Sequence, residues 1–301
     1  MRNLWWLLIQ LQCMATISTT GNDSDVETCM SMLQQKTHLD RNEASWKVNN
    51  YIMAAYHKAG VYLSKALQLI IFHEELGEPK EDLGQWITPC YTFCQNLKAP
   101  SRLLVDNLNA SLLTKLRRAA WPKRTLVSGL TRNPLTMVAS AYCYHHEGQE
   151  PENQLMDTPL LMSLGLEEGT NATARLLLPQ VEYMASVFAE PDNDTLRLRY
   201  EDFVKSSESF DQQISTLLDF FFGTGEDLIT DAQRLSIKEA AKTEDEKRNP
   251  EATYDESRNR SHGSNDKCKA LAEAVLPKIE PSLLARYHEL QHRLGYPVGS
   301  T

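Results

Sequence analysis

Apolar positions fall into two kinds of run: continuous stretches of strand length, and longer stretches with apolar residues three and four apart. The first such pairing is YIMAAYHKAGVYLSKAL at Tyr51–Leu67. Its start predicts a buried strand, His57–Gly60 a tight turn, and the spacing from about Val61 an amphipathic helix. The second is RTLVSGLTRNPLTMVASAYCYHH at Arg124–His146. Thr125–Thr131 predicts an apolar, β-branched strand with Arg132 at its C-terminal end. Asn133 suits a helix cap, Pro134 suits the first helical position, and Leu135, Val138, Ala139 and Tyr142 recur at helical spacing. A third strand is expected at Leu196–Tyr200, leading into Glu201 and Asp202.

The remaining pattern is coarser. Ala66–Leu76 continues the first helix or starts another strand, and Leu83–Leu97 and Leu103–Arg118 read as strand and helix material. Glu147–Met156 reads as a polar loop. Leu160–Leu166 and Ala174–Val187 are expected as two helices, and Phe210–Phe222 as a strongly apolar helix ended by Gly223. Thr243–Asp266, which holds Arg258, Arg260 and Gly263, is the least structured stretch. Leu271–Gly295 closes the chain as a helical tail broken by Pro277 and Pro281. Strands alternating with helices predict an α/β fold with a parallel sheet.

The length of 301 residues fits one domain over 50–297, preceded by a leader at 22–49 with a helix near Val26–Leu33. Residues 1–21 carry Arg2, the apolar run Leu4–Leu11 and then small, hydroxylated residues, the layout of a secretory signal with Thr16-Ile17-Ser18 as a cleavage site. An uncleaved anchor is the alternative, although Gln10 and Gln12 cut the run short of a membrane span. Asn-x-Ser/Thr sequons at Asn22, Asn109, Asn171, Asn193 and Asn259 agree with export, so the expected location is the Golgi lumen or outside the cell. Of the six Cys, Cys13 falls in the signal; Cys29, Cys90, Cys94, Cys143 and Cys268 remain, an odd number that implies a free thiol or an intermolecular bridge. Cys90 and Cys94 pair with each other or staple other parts, and their spacing has no second ligand pair for zinc. A net charge of −9 argues against a nucleic-acid surface and, more weakly, against a polyanionic acceptor.

The chemistry that the two strand–turn–helix units suit is anion binding. Backbone N–H groups at a helix mouth carry the positive end of its dipole, Gly60 admits close approach, and Lys58 adds a mobile charge. Ligands of parallel sheets sit beyond the carboxyl ends of the strands, so Lys58 and Arg132 would face one anionic ligand.

These segments resemble the two nucleotide-binding motifs of the sulfotransferase family, which uses 3′-phosphoadenosine 5′-phosphosulfate (PAPS). The family's first motif is Lys-x-Gly-Thr-Thr/Ser after a strand. Its second has Arg, Asn/Asp-Pro and a Ser eight residues after the Arg, here RNPLTMVASAYCYH with Arg132 and Ser140. A third element, Tyr-Glu-Asp after a strand, appears in LRLRYEDFV at Leu196–Val204. The resemblance runs from about Asn50 to the C-terminus and implies a P-loop-NTPase-like parallel sheet flanked by helices. It implies that Lys58 contacts the phosphosulfate and that the loop of Ala59, Gly60, Val61, Tyr62 and Leu63 cradles it. It further implies that Arg132 and Ser140 bind the 3′-phosphate, that Tyr200 lies against adenine, and that Arg258, Arg260 and Gly263 form the late phosphate loop.

For the general base the resemblance points to a Glu some way after the loop, among Glu74, Glu75, Glu78 and Glu81; Glu75 is favoured, with His73 and Asp106 as rivals. Two departures stand out. Val61 and Tyr62 occupy the family's hydroxyl positions, leaving Ser64 and the amides to compensate, and Leu63 replaces an aromatic for which Tyr62 is the substitute at hand. The implied activity is sulfuryl transfer from PAPS to a hydroxylated acceptor, a carbohydrate or small molecule, in the secretory pathway, with PAP as product and no metal. The alternative is a sulfotransferase-fold protein that binds a nucleotide or glycan without turnover. A P-loop kinase is disfavoured, because the loop is short and lacks the Lys-Ser/Thr ending.

Overall fold

The computed structural model describes residues 44–86, 102–120, 122–150, 156–225, 228–250, 254–255, 260–261 and 265–298. The expected signal and leader helix, Asn22, Asn259, Cys13, Cys29, Cys90, Cys94, Arg258 and Gly263 lie outside them. Contacts divide the chain into two units, Met1–Lys47 and Val48–Thr301. The described part of the first is Ala44–Lys47; the second contains the α/β domain.

Five strands form its sheet: β1 (Asn50–Ala55), β2 (Leu83–Trp86), β3 (Arg102–Asp106), β4 (Thr125–Thr131) and β5 (Thr195–Arg199). Their order is β2-β3-β1-β4-β5, and every pairing is parallel. The α/β fold expected from the pattern is therefore present. β4 is buried at every position and β1 at all but its first. Burial on both faces explains why these strands read as continuous apolar runs rather than alternating ones. Because β3 and β4 lie on opposite sides of β1, the crevice beyond the carboxyl end of β1 is the topological switch point.

The helices are α1 (Val61–Gln68), α2 (Ala110–Ala120), α3 (Pro134–His146), α4 (Thr158–Ser163), α5 (Leu166–Phe188), α6 (Tyr200–Lys205), α7 (Ser207–Phe222), α8 (Asp231–Ala241), α9 (Asp266–Val275) and α10 (Pro281–Arg293). α1 runs on into a π-helical segment, Leu69–Glu75, so Ala66–Leu76 continues the helix and no strand begins there. Phe72 from that segment packs with Tyr51, Phe221 and Phe222, their ring centroids 5.2–6.3 Å apart, which anchors the helix against the strand that feeds it. The two helices expected at Leu160–Leu166 and Ala174–Val187 are present with other bounds, as α4 and as α5, which is continuous over 23 residues with Pro179 inside it. The stretch Thr243–Asp266 contains two-residue strands, β6 (Tyr254–Asp255) and β7 (Arg260–Ser261), paired antiparallel, so Arg260 is in regular backbone.

Helix α3 is buried along nearly its whole length, and Asn133 caps it by accepting from Leu135 N at 3.1 Å. Cys143 of α3 forms a disulfide with Cys268 of α9. Of the sequons described, Asn193 is exposed, Asn109 Oδ1 accepts from Leu112 N in the first turn of α2, and Asn171 Oδ1 accepts from Glu280 N. Among the described residues no helix is long and apolar enough to cross a membrane.

Candidate anion site

The chain leaves β1 through Tyr56–Gly60. Tyr56 is fully buried, its hydroxyl donating to Leu108 O at 2.6 Å, and Ala59 N closes the turn on Tyr56 O at 2.9 Å. Lys58 (φ 61) and Gly60 (φ 90) both adopt left-handed backbone, which reverses the chain into α1 within a few residues. Glycine at position 60 is also a matter of space: a Cβ there would lie 2.6 Å from Leu130 Cδ1 and 3.0 Å from Tyr200 Cδ2. Val61, Tyr62 and Leu63 are the first three helical residues, where N–H groups have no partner within the helix.

Residues from the separate motifs meet here. Arg132 donates through Nη1 to Lys58 O at 2.7 Å, and its guanidinium carbon lies 4.8 Å from the Tyr200 ring centroid. That same ring packs against Gly60. Lys58 Nζ lies 3.7 Å from the ring centroid of Tyr144 on α3. Burial, and next the nearby Arg132 charge, pull Lys58 down to about 7, with Glu150 opposing. Arg132 has no carboxylate partner among the described residues. Two cations held close together at the switch point are electrostatically costly until an anion arrives, and its charge would restore the protonated Lys58.

Tyr200 opens α6 and donates to Glu246 Oε1 at 3.3 Å; burial first, then Glu246, pushes its phenol up to about 12. Glu201, read from the sequence only as part of the Tyr-Glu-Asp element, is a structural strut. It accepts from Asn133 N at 2.8 Å and from Tyr296 OH at 3.0 Å, while Tyr296 OH also meets Thr131 Oγ1 at 3.2 Å. Gln291 Nε2 donates to Asn133 Oδ1 at 2.9 Å. The C-terminal segment thus holds the turn that carries Arg132, a role no local signal at Gln291 or Tyr296 announced.

Other expected residues fall elsewhere. Ser140 sits on α3 and is only 2 % exposed. Ser64 is turned inward, lining a small internal cavity with Met53, Leu67, Ser128 and Leu217, and does not replace the missing loop hydroxyls. Tyr62 is 40 % exposed, an aromatic at the surface of the first turn.

Glu75 ends the π-helical continuation of α1. From the helical rise it stands on the order of 20 Å from Gly60. His73 donates to Glu78 O at 2.8 Å, and Glu78 pairs with Arg102 at 3.2 Å, where β3 begins. The Glu window and His73 therefore occupy the amino-terminal side of the sheet, away from the switch point. Asp106 is different: it ends β3 in register with Ala55, the last residue of β1. Burial, then Glu150, raises its carboxyl to about 6, with Lys65 opposing.

A cluster that sequence reasoning missed adjoins Lys58. His57 Nε2 and His145 Nε2 are 2.9 Å apart with their rings stacked at 4.9 Å, and Tyr144 OH donates to Glu150 Oε1 at 3.4 Å. Burial, then each other's proximity and Lys58, holds His57 well below its usual range; burial and Lys58 lower His145 to about 4, against Glu150. The two histidines are 88 residues apart, so nothing in their spacing announced the contact.

No protein-family model matches the chain, and no curated protein matches it. Among solved structures it is similar to mouse sulfotransferase SULT7A1 complexed with PAP, at 14 % identity over 83 % of this chain and 86 % of that one, with a TM-score of 0.40. The chain's own strands and loops define its class: a parallel α/β protein with a two-cation site at the carboxyl ends of its central strands.

Proposed function

We propose that the protein transfers a sulfuryl group from PAPS to an acceptor hydroxyl, of a carbohydrate or small molecule, in the secretory pathway. The observation that carries this reading is the clasp of Arg132 on the Lys58 carbonyl, with Tyr200 stacked on Arg132 and packed against Gly60. It joins all three sulfotransferase-like motifs at the one place where a parallel sheet binds its ligand.

The residues divide the work. Lys58 and the first-turn amides of α1 hold the phosphosulfate and bear the charge that builds on the departing phosphate. Arg132 offers its planar fork to the 3′-phosphate, and Tyr200 offers a ring face. As the acceptor oxygen bonds to sulfur and the bond from sulfur to the phosphate oxygen breaks, Asp106 takes the acceptor proton. Its position at the end of β3 and its raised basicity favour it over Glu75. The Cys143–Cys268 disulfide supports an oxidising compartment and so the secretory location.

A second reading, nucleotide binding without turnover, is favoured by Val61 and Tyr62 at the loop positions and by the inward-facing Ser64. Calorimetric titration of adenosine 3′,5′-bisphosphate into wild type, Lys58→Ala and Arg132→Ala tests both. Micromolar binding, about −8 kcal/mol, lost in each variant supports the site. Sulfate transfer from PAPS across an acceptor panel then separates enzyme from binder. No binding by the folded wild type would overturn both readings.

A further inference from the structure

Beside the two-cation site, His57, His145 and Glu150 each place one ligand atom within 4.8 Å of the others. We propose that this cluster is a divalent transition-metal site of the zinc type, with two imidazole Nε2 atoms and one carboxylate oxygen as ligands. The inference does not rest on nucleotide binding, since its ligands are other side chains.

His145 Nδ1 lies 3.1 Å from Gln149 O and 2.8 Å from Thr158 Oγ1. A backbone carbonyl only accepts, so Nδ1 carries the proton and Nε2 presents a lone pair. Thr158 Oγ1 accepts from that imidazole and donates to Glu150 O at 3.1 Å. Such a carbonyl-anchored imidazole is the arrangement that orients a metal-binding histidine and raises its basicity as a ligand. His145 is fully buried and its ring direction is thereby set, while His57 and Glu150 are partly exposed.

In the contact as it stands, His57 Nε2 donates its proton to His145 Nε2. Moving that proton to His57 Nδ1 frees a second lone pair at the same spot. With bonds of about 2.0–2.1 Å, tetrahedral zinc needs ligand atoms about 3.4 Å apart. The two Nε2 atoms, 2.9 Å apart, need to part only slightly, and Glu150 to draw in. Glu150 has a left-handed φ of 48, and its carboxylate is already within reach of both histidines. Two nitrogens and one carboxylate suit zinc or cobalt rather than calcium or magnesium, which prefer all-oxygen shells. Three protein ligands leave a fourth position for water or an oxygen ligand. Tyr144, which bonds Glu150 and lies under Lys58, connects the metal site to the anion site.

The test is titration of Zn²⁺ into the full chain by calorimetry, and of Co²⁺ by visible absorption, which reports tetrahedral coordination. Wild type, His57→Gln, Glu150→Gln and the exposed control His292→Gln are compared, with circular dichroism confirming that each is folded. One equivalent of Zn²⁺ with a tetrahedral Co²⁺ band, weakened at least about 100-fold in both site variants and unchanged in His292→Gln, is the expected result. Absence of saturable binding by folded wild type would overturn the site, as would binding that survives in either site variant.

Discussion

Arg132 reaches across 74 residues of sequence to donate to the backbone carbonyl of Lys58, at 2.7 Å. The bond ties the end of β4 to the turn after β1, so the guanidinium fixes the loop as well as facing the crevice. Lysine cannot do both, because it has no planar fork and no face to stack on Tyr200. Arg132→Lys should therefore weaken adenosine 3′,5′-bisphosphate binding by about 10- to 100-fold, or about 1.4–2.8 kcal/mol. Calorimetry checks this; binding within twofold of wild type would show that charge alone suffices.

Gly60 and Gly77 both have positive φ, at 90 and 70, yet their surroundings differ. A methyl at Gly60 meets Leu130 and Tyr200, whereas nothing lies within 4 Å of one at Gly77. Gly77→Ala should cost only the left-handed backbone penalty, about 1–2 kcal/mol. Gly60→Ala adds overpacking to it, for a total of about 2–5 kcal/mol, and displaces Tyr200 from Arg132. Denaturant unfolding of the two variants in parallel gives the comparison, and equal losses would remove the steric argument.

The strand–turn–helix units were legible because their signals are local. β4 at Thr125–Thr131, the cap at Asn133 and the helix start at Val61 follow from apolar runs, an Asn-Pro pair and a glycine. What stayed hidden depends on distance and direction. Glu75 had the right chemistry, but the helix that carries it runs to the other side of the sheet. Ser64 stood in the right stretch, yet helical periodicity turns it inward. Tyr296 supports Glu201 across 95 residues and His57 meets His145 across 88, contacts that only the assembled sheet creates. Asp106 was legible as a rival base, and its register with Ala55 is what sets it apart from Glu75.

The Cys143–Cys268 disulfide closes a loop with a sequence separation of 125, and it joins α9 to the helix that follows Arg132. Its loss loosens the unfolded chain, by about 4–5 kcal/mol for a loop of this length in the entropic account. The double variant Cys143→Ala/Cys268→Ala should unfold at markedly lower denaturant. Because the Asn133 turn is also held by Glu201 and Gln291, the variant that remains folded should keep nucleotide affinity within about threefold, or about 0.7 kcal/mol. Unchanged stability would mean that the bridge does not constrain the unfolded chain.

The burial of Asp106 has opposite consequences for stability and for chemistry. Its carboxyl rises from 3.8 to about 6 on folding, chiefly through burial. A raised acid contributes fully below its unfolded value and loses that contribution as pH rises through the folded one. Wild-type stability should accordingly fall between about pH 4 and 6, by about 3 kcal/mol for a rise of this size. Asp106→Asn removes the titration, so its stability relative to wild type should improve from pH 4 to pH 8. If Asp106 takes the acceptor proton, the same change should lower kcat by about 10²- to 10⁴-fold while leaving nucleotide affinity intact. Wild-type kcat should climb with pH through about 6 as the carboxylate forms. A variant that is more stable at pH 8 yet fully active would leave the burial account standing and remove Asp106 as the base.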